Sequence, residues 1–379
     1  MTYLDHGATS FPKPQAVTNA MICALENCAN PGRGGYREAM NASQILLRCR
    51  ERAGELFDCD PEQVVLTTSC THGLNLAIRT LVKPGSRVVI SGFEHNAVTR
   101  PLHGLHARIT VAGRKLFDRE DTLRSFESAL EKGADAAVFT HVSNVFGYIL
   151  PVEELAALCR KYGVPFIVDC AQSAGRLPVS LGKWNADFIA MPGHKGLLGP
   201  MGTGLLLCKE PPLPLIYGGT GSQSESQQMP AFLPDVAEAG TLNVAGFAGL
   251  CAGMETVRKI GTERLFTREQ TQARRLIKHL GKYGYQVFSG EDQCGTVSFV
   301  PDCDTEELAR FLAKQDIAVR AGLHCAPLAH ESAGTLQTGT VRVSFGHNAA
   351  PWQTGNLQLA LGEFAQKQQN FSGKNTDEL

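Results

Sequence analysis

The sequence has no long uninterrupted hydrophobic run and no excess of charge of one sign. Its 379 residues include 36 lysines and arginines against 37 aspartates and glutamates, so the formal net charge is −1. This balance gives no electrostatic reason to bind nucleic acid or an anionic membrane. The uncharged stretch 136–152 contains His, Ser, Asn, Gly and Pro, which do not suit a membrane span. Because the N-terminal segment also lacks a signal-peptide pattern, we expect a soluble, cytoplasmic protein with no nucleic-acid partner and no membrane association.

Closely spaced cysteine pairs are also absent. The twelve cysteines are scattered, and no two of them form a CxxC motif, which argues against a zinc ribbon or a thioredoxin-like site. A chain of this length can build its own core and does not need a disulfide framework. We therefore predict no metal site, and we expect most cysteines, such as Cys159 and Cys251, to pack as small hydrophobic residues.

Strand-like and helix-like segments alternate over the first two thirds of the chain. Short apolar strands separated by crossover helices are typical of an α/β fold, with a parallel or mixed sheet covered on both faces. After residue 250 the pattern changes to charged helical segments and a few strands, which predicts a smaller α+β domain. The predicted strands are 63–68, 86–92, 134–143, 164–170, 187–192 and 202–209, followed by 295–301, 317–322 and 340–346.

The domain organisation follows from this change of pattern. We expect a large domain over residues 14–248 and a small domain formed by residues 1–13 and 249–367. Residues 368–379 contain few apolar side chains to bury, so they are expected to be a disordered tail.

Polar residues follow the predicted strands of the large domain where each strand ends. Because the carboxyl ends of parallel strands meet at one edge of a sheet, these residues mark the expected ligand site. The segment SCTHG (69–73) opens a helix whose first N–H groups suit a phosphate, although an ordinary N-cap would explain this segment alone. The other strand ends carry Glu94, His95 and Asn96, then Asn144, then Asp169 and Gln172, then His194 and Lys195.

Lys195 stands out because it lies in an apolar, glycine-rich segment, FIAMPGHKGLLGPMGTG (188–204). An ion pair with Asp169 at the sheet edge would be a purely structural explanation. Pyridoxal phosphate explains more of the residues, because it needs a lysine amine, an acid beside its ring nitrogen and a helix N-terminus for its phosphate. Apolar surroundings also lower the pKa of an amine from about 10.4 and favour its nucleophilic neutral form.

A family resemblance supports the same cofactor. The segments YLDHGATSFPKP, EHNAV, THVSNVFG, VDCAQSAG, GHKGLLGPMGTG, EAGTLN and RAGLHCAP occur here in the order and spacing of the class V aminotransferase-like pyridoxal phosphate enzymes. The chain most resembles the cysteine desulfurase and selenocysteine lyase branch, over nearly its whole length except the tail. The resemblance implies the fold type I of pyridoxal phosphate-dependent transferases, with a mostly parallel seven-stranded sheet in the large domain. It also implies a homodimer with shared active sites.

The resemblance assigns roles to individual residues. The implied catalytic residues are Lys195, Cys325, His95 and Asp169. Lys195 would carry the cofactor, Asp169 would face the ring nitrogen and His95 would stack on the ring. The remaining implied cofactor-binding residues are Asn144 and Gln172 near the phenolic oxygen, Cys70, Thr71 and His194 at the phosphate, and Thr241 at the phosphate of the other subunit. Arg342 and Arg320 are the implied substrate-binding residues, with Arg342 holding the substrate carboxylate.

Two positions depart from the family pattern. Pro192 stands where many members have a serine, so one hydrogen bond near the phosphate or the cofactor lysine must be missing or replaced. Cys70 stands where threonine or alanine is more usual. A backbone N–H can still bind phosphate at that position.

Cys325 distinguishes between reactions on this cofactor. It lies in the loop of RAGLHCAPLAH (320–330), where Arg320 and His324 are expected as cations that favour its thiolate, although a buried structural cysteine is the simpler alternative. A desulfurase needs such a thiol and a transaminase does not. We therefore predict a cysteine desulfurase that converts L-cysteine to L-alanine and holds the sulfur on Cys325 as a persulfide, for transfer to an acceptor such as a protein.

Three alternatives stay open at this point. A selenocysteine lyase would have nearly the same site residues. Another class V aminotransferase or lyase would use the same cofactor on a different amino acid. A scaffold that only binds partners is a further alternative, against which the set of Lys195, Asp169, His95 and Cys325 argues.

Overall fold

A computed structural model describes residues 1–32 and 34–374 of the chain. No helix among these residues combines the length and apolar character that a membrane crossing requires. The strands are β1 (Thr2–Tyr3), β2 (Val64–Thr67), β3 (Arg87–Ser91), β4 (Arg108–Ala112), β5 (Ala136–Thr140), β6 (Phe166–Asp169), β7 (Phe188–Pro192), β8 (Gly204–Cys208), β9 (Gln286–Phe288), β10 (Thr296–Val300), β11 (Ile317–Ala318), β12 (Arg320–Gly322) and β13 (Thr340–Ser344). The α-helices are α1 (Gln15–Asn27), α2 (Arg37–Phe57), α3 (Cys70–Leu81), α4 (Asn96–Gly104), α5 (Arg119–Glu131), α6 (Val152–Lys161), α7 (Leu181–Trp184), α8 (Val244–Ile260), α9 (Thr262–Leu280), α10 (Thr305–Lys314), α11 (Pro327–Ala333) and α12 (Pro351–Lys374).

Seven strands form the large sheet in the order β2, β8, β7, β6, β5, β3, β4. Strand β8 runs antiparallel to β2 and β7, and all other neighbours in this sheet are parallel. Successive side chains of each central strand enter two separate cores, as Val138 and Phe139 of β5 do. The predicted α/β class with a mostly parallel sheet is therefore confirmed.

The edge strand β4 is the member of this sheet that the apolar pattern does not predict. Its first three residues are exposed, because a strand at the sheet edge is covered less completely than a central one. The six strands predicted from the first part of the chain each overlap an observed strand. Continuous apolar runs thus identify the buried strands but not the exposed edge.

The second part of the chain forms a four-stranded sheet in the order β12, β13, β10, β9. The predicted strand 317–322 is divided in two, because β11 pairs in parallel with β1 whereas β12 pairs antiparallel with β13. The N-terminal strand therefore lies beside the C-terminal elements, and Leu4 packs in their core. The predicted domain boundaries at residues 13 and 248 stay predictions.

Helices in this part also refine the sequence-based expectation. The charged helical segment divides at Gly261, whose φ of 90° lies outside the helical range, into α8 and α9. The structure differs from the predicted tail over residues 368–374, where α12 continues to Lys374. Extending an existing helix by one residue is far easier than nucleating a new one, so few apolar side chains are needed there. Residues 375–379 of the predicted tail lie outside the described residues.

Candidate active site

A cavity of about 400 Å³ lies at the carboxyl ends of the central strands of the large sheet. The predicted site residues that line it are Cys70, Thr71, His95, Asn144, Asp169, Gln172, His194, Lys195, Arg320, Cys325 and Arg342. Thr241 is not part of this lining and lies exposed on the segment before α8. The fold therefore brings together residues from five strand ends and from the C-terminal sheet, while the role of Thr241 in a second subunit stays a prediction.

Lys195 and Asp169 come from neighbouring strands, since Asp169 ends β6 and Lys195 follows β7. Burial lowers the pKa of Lys195 to about 8, and the charge of Asp169 opposes that shift. Burial also raises the pKa of Asp169, against the Ala171 N–H and Lys195, which favour its ionised form. The lowered lysine pKa that its apolar surroundings predict is thus present, and a neutral amine is accessible near pH 8.

Two hydrogen bonds from described residues reach the Asp169 carboxylate, and both go to the same oxygen. The Ala171 N–H donates to Oδ1 over 2.8 Å, and the Cys70 thiol donates to Oδ1 over 3.5 Å. Burial and the charge of Asp169 hold the pKa of the Cys70 thiol well above its usual range, so the thiol stays protonated. The side chain of Cys70 therefore faces Asp169, and only the backbone of this residue is left for its predicted role at a phosphate.

The N-terminal end of α3 begins at Cys70, directly after β2. The side chain of Ser69 accepts the His72 N–H over 3.1 Å and caps the helix. Other N–H groups of a first helical turn have no acceptor within the helix, and the helix dipole adds partial positive charge there. This end of α3 can therefore bind an anion next to Lys195.

The backbone beside Lys195 is held by the N-terminal segment of the chain. The carbonyl oxygen of His194 accepts from the Ser10 N–H over 2.9 Å, from Ser10 Oγ and Thr9 Oγ1 over 3.0 Å each, and from Lys13 Nζ over 2.8 Å. The segment YLDHGATSFPKP carries part of the family resemblance, but no role was predicted for these residues. Their contacts fix the position of the lysine-bearing loop.

His95 caps α4, because its Nδ1 accepts the Ala97 N–H over 3.0 Å. Its Nε2 therefore carries the proton of the neutral ring. Burial, with a contribution from Lys195, lowers the pKa of His95 to about 4, and burial lowers the pKa of His194 to about 4. Both imidazoles are neutral at physiological pH and contribute no positive charge to the cavity.

Two arginines reach the cavity from adjacent strands of the C-terminal sheet, and one carboxylate binds both. Asp5 accepts from Arg342 Nη2 over 2.7 Å, and its other oxygen accepts from Arg320 Nη2 over 3.0 Å and Nε over 3.1 Å. Arg342 Nη1 donates to the carbonyl oxygen of Asn144 over 3.0 Å, and Arg342 Nε is buried without a hydrogen-bond partner among the described residues. Asp5 was not predicted, because its short strand β1 gives no periodic signal.

The loop that carries Cys325 is exposed at the thiol and anchored through its backbone. The Asn96 N–H donates to the Cys325 carbonyl over 2.8 Å, and the Asn144 amide donates to the His324 carbonyl over 2.8 Å. His324 and Cys325 have φ values of 49° and 57°, a left-handed conformation that non-glycine residues seldom adopt. Such conformations are maintained where surrounding contacts, here the two hydrogen bonds to the loop carbonyls, hold the backbone in place.

The prediction that His324 is a cation beside this thiol is wrong. Burial and the charge of Arg342 lower the pKa of His324 to about 2, and its Nε2 lies 3.1 Å from Thr340 Oγ1. The guanidinium of Arg320 pairs with Asp5. The simpler alternative, a buried cysteine, is also wrong, because Cys325 is exposed.

Comparisons with known proteins agree with this geometry. The chain matches the family model described as Aminotransferase class-V over residues 2–352. It is 32% identical to the Methanothermobacter thermautotrophicus protein named "Probable cysteine desulfurase", over 90% of this chain and 89% of that protein. A Pyrococcus abyssi protein of the same name is 33% identical, over 90% and 89%. The apo structure of cysteine desulfurase from Thermococcus onnurineus NA1 aligns with a TM-score of 0.89 at 30% identity, over 96% of this chain and 94% of that chain. The chain therefore belongs to the class V aminotransferase family, in the branch of the cysteine desulfurases.

Proposed function

We propose that this protein is a pyridoxal phosphate-dependent cysteine desulfurase that transfers sulfur from L-cysteine to Cys325. The observation that carries the proposal is that an exposed thiol, Cys325, lines the same cavity as Lys195 and Asp169. A transaminase needs the lysine and the aspartate but not the thiol. The names of the relatives in the family support the same reaction.

The residues present fit pyridoxal phosphate. Gln172 Oε1 is buried and has no hydrogen-bond partner among the described residues, so it can accept from a bound ligand. Because the donors to Asp169 among the described residues, Cys70 and Ala171, both meet Oδ1, its Oδ2 can accept a hydrogen bond from a protonated ring nitrogen. The start of α3 can receive the phosphate, and Lys195 supplies the amine that would hold the cofactor. When bound, pyridoxal phosphate withdraws electrons from the α-carbon of an amino acid.

The protein side chains orient the substrate around that group. Arg342 offers its unpartnered Nε to a carboxylate, and Asp5 and Asn144 hold its other nitrogens. A neutral His95 can lie against an aromatic ring without adding charge, because its pKa is lowered to about 4. Lys195 can hold or release a proton at Nζ near pH 8, since its pKa is lowered to about that value. These groups would bind an amino acid through its carboxylate and present its side chain to Cys325.

Sulfur transfer is then a displacement at sulfur. The Cys325 sulfur attacks the sulfur of the substrate, and an S–S bond forms as the C–S bond breaks. The electron pair of the broken bond stays with the β-carbon, which takes a proton and becomes the methyl group of alanine. L-cysteine and the Cys325 thiol thus give L-alanine and a Cys325 persulfide, with no external oxidant or reductant.

Substitution of Cys325 tests this proposal. Cys325→Ser should keep its cofactor and its absorbance change with L-cysteine, because the thiol acts after substrate binding. With a thiol reductant in the assay to release the persulfide sulfur as sulfide, sulfide release should fall about a thousandfold or more, since a hydroxyl is a much poorer nucleophile than a thiol. Cys23→Ser is the matched control, because Cys23 is also exposed but lies on α1 outside the cavity.

The outcomes separate the alternative reactions. Sulfide release from Cys325→Ser at the wild-type rate would refute the proposed mechanism and favour another class V lyase. A variant that still releases selenide from selenocysteine but no sulfide from cysteine would favour a selenocysteine lyase, because selenium leaves more readily.

The quaternary arrangement is a separate part of the proposal. We infer a homodimer in which Thr241 reaches the phosphate site of the second subunit; its exposure leaves it accessible for that contact. Sedimentation of the active enzyme tests this inference, and full activity in a monomer would contradict it. The cytoplasmic location and a protein as sulfur acceptor stay predictions from the sequence.

A further inference from the structure

We propose that Asp5 is a positioning residue that pairs with Arg320 and Arg342 and holds Arg342 ready to receive a ligand carboxylate. The inference rests on the proposed binding of an amino acid in this cavity, and it assigns a role to a residue outside the cofactor-binding set. Asp5 lies after β1 and forms a bridge with Ser344, the last residue of β13. Its side chain is thereby placed beside both arginines.

The two arginines need such a partner. Arg320 of β12 and Arg342 of β13 are directly opposite each other in the antiparallel pair. Like charges at directly opposite positions repel and destabilise a strand pair. Asp5 offers one carboxylate oxygen to each guanidinium, at 2.7 Å from Arg342 Nη2 and 3.0 Å from Arg320 Nη2. A neutral residue at position 5 would leave the two cations without this shared acceptor.

The charge balance points to an anionic ligand. One carboxylate faces two guanidinium groups, so one positive charge at the cavity is not neutralised by this triad. The Arg342 side chain is only 3% exposed, whereas that of Arg320 is 49% exposed, so water can solvate the charge of Arg320. A ligand carboxylate at Arg342 Nε would supply the missing charge and the missing hydrogen-bond acceptor together.

The orientation of Arg342 is set from three sides. Asp5 accepts from Nη2, the Asn144 carbonyl accepts from Nη1 over 3.0 Å, and Gly7 lies close to the guanidinium group. A Cβ at Gly7 would lie 3.2 Å from Arg342 Cζ, which is closer than ordinary contact, so only glycine allows this approach without a shift. The Nε edge is left for the ligand. Asp5 therefore acts through Arg342, by holding its guanidinium group in place before the ligand carboxylate binds.

Equilibrium binding to the holoenzyme tests this role without any sulfur chemistry. L-alanine and L-alaninamide differ in the carboxylate, and both can be titrated by the visible absorbance of the cofactor. In Asp5→Asn we expect about tenfold weaker binding of L-alanine and less than about twofold change for L-alaninamide, because the loss acts on the carboxylate contact. The ratio of the two affinities should therefore fall by nearly tenfold. Asp316→Asn is the control, because Asp316 also loses an ion pair near β1, but one on the surface with the terminal amine.

Two further variants guard against a merely structural effect. Asp5→Glu keeps the charge and should restore part of the alanine preference, and it replaces Asp5→Asn if that variant does not yield holoenzyme. In an Arg342→Lys background, Asp5→Asn should no longer change the affinity ratio, because the guanidinium group that Asp5 holds has been removed. Equal weakening of both ligands by Asp5→Asn, or an unchanged ratio, would overturn the proposal. If the wild-type protein released no sulfide from L-cysteine but bound L-alanine more tightly than L-alaninamide, and Asp5→Asn removed that preference, the desulfurase function alone would be refuted.

Discussion

The cavity has two halves that are built in different ways. The cofactor half, which we propose binds the cofactor, contains Cys70, His95, Asp169 and Lys195 and comes from the ends of four strands of one sheet, β2, β3, β6 and β7. The substrate half, which we propose binds the substrate, contains Arg320, Cys325 and Arg342 from strands and a loop near the C-terminus, and Asp5 of the N-terminal segment pairs with both of its arginines. The first half depends on local strand–loop units, whereas the second depends on pairing between distant parts of the chain.

The charge states of the side chains also differ between the two halves. In the cofactor half, burial pushes groups toward their neutral forms: the pKa of Lys195 falls to about 8 and the pKa of His95 falls to about 4. In the substrate half, Asp5 pairs directly with both arginines, and one positive charge of the three groups stays without a counter-charge. Desolvation therefore favours a neutral amine at Lys195 in one half, and ion pairing holds Arg320 and Arg342 in the other.

The largest expected effect comes from removing the amine of the cofactor half. Lys195→Ala should lose turnover by about ten-thousandfold or more, because the described residues that line the cavity include no other lysine. Borohydride reduction of the wild type followed by peptide mapping should place the pyridoxyl group on Lys195. Lys183→Ala is the control, since Lys183 is an exposed lysine paired with Glu153 on the surface. Labelling of Lys183 or of Lys13 would contradict the assignment.

A second prediction concerns the rate at which the apoprotein captures pyridoxal phosphate. Attack requires the neutral amine, and the pKa of Lys195 is lowered to about 8. Below that pH the capture rate should fall by about tenfold for each pH unit, and above it the rate should level off. Stopped-flow absorbance over about pH 6 to 10 would measure the profile. A rate that still rises tenfold per unit up to about pH 10 would show an ordinary lysine and remove this contrast between the halves.

The smallest expected effect lies in the substrate half. His324→Asn should change turnover by less than about threefold, because the native imidazole is buried and uncharged and asparagine tolerates its left-handed backbone. The pH profile of sulfide release should also keep its shape. Steady-state assays across the pH range would measure both quantities. A loss of about a hundredfold, with a changed pH profile, would mean that a charged His324 assists Cys325.

The contrast explains which site residues could be predicted. Asp169 and Lys195 follow continuous apolar strands, and the carboxyl ends of such strands meet at one edge, so their proximity could be inferred from the pattern. The resemblance to the family added Cys325 and Arg342. Asp5 could not be found in this way, because β1 has two residues and Asp5 is 337 positions from Arg342 in the chain. The pairing of β1 with β11 and the bridge between Asp5 and Ser344 bring it beside the two arginines.

Similar limits apply to the fold. The buried strands β2, β3, β5, β6, β7 and β8 are each marked by an apolar run, whereas the exposed edge strand β4 is not. The segment 317–322 looks like one strand, but its two ends pair with different partners. The hydrophobic pattern indicates which residues of the chain are buried, but it does not indicate which strands pair with each other.

The sequence by itself determined the α/β class, the residues at the strand ends and the chemical types available at the site, because these depend on local pattern and composition. The tertiary structure decided the charge states and the partners of those residues. His324 is a potential cation in the sequence, but its burial makes it neutral, with a pKa lowered to about 2. Arg320 and Arg342 are two separate cations in the sequence, and a distant aspartate joins them. Desolvation and ion pairing depend on neighbours in space, which the order of residues along the chain does not specify.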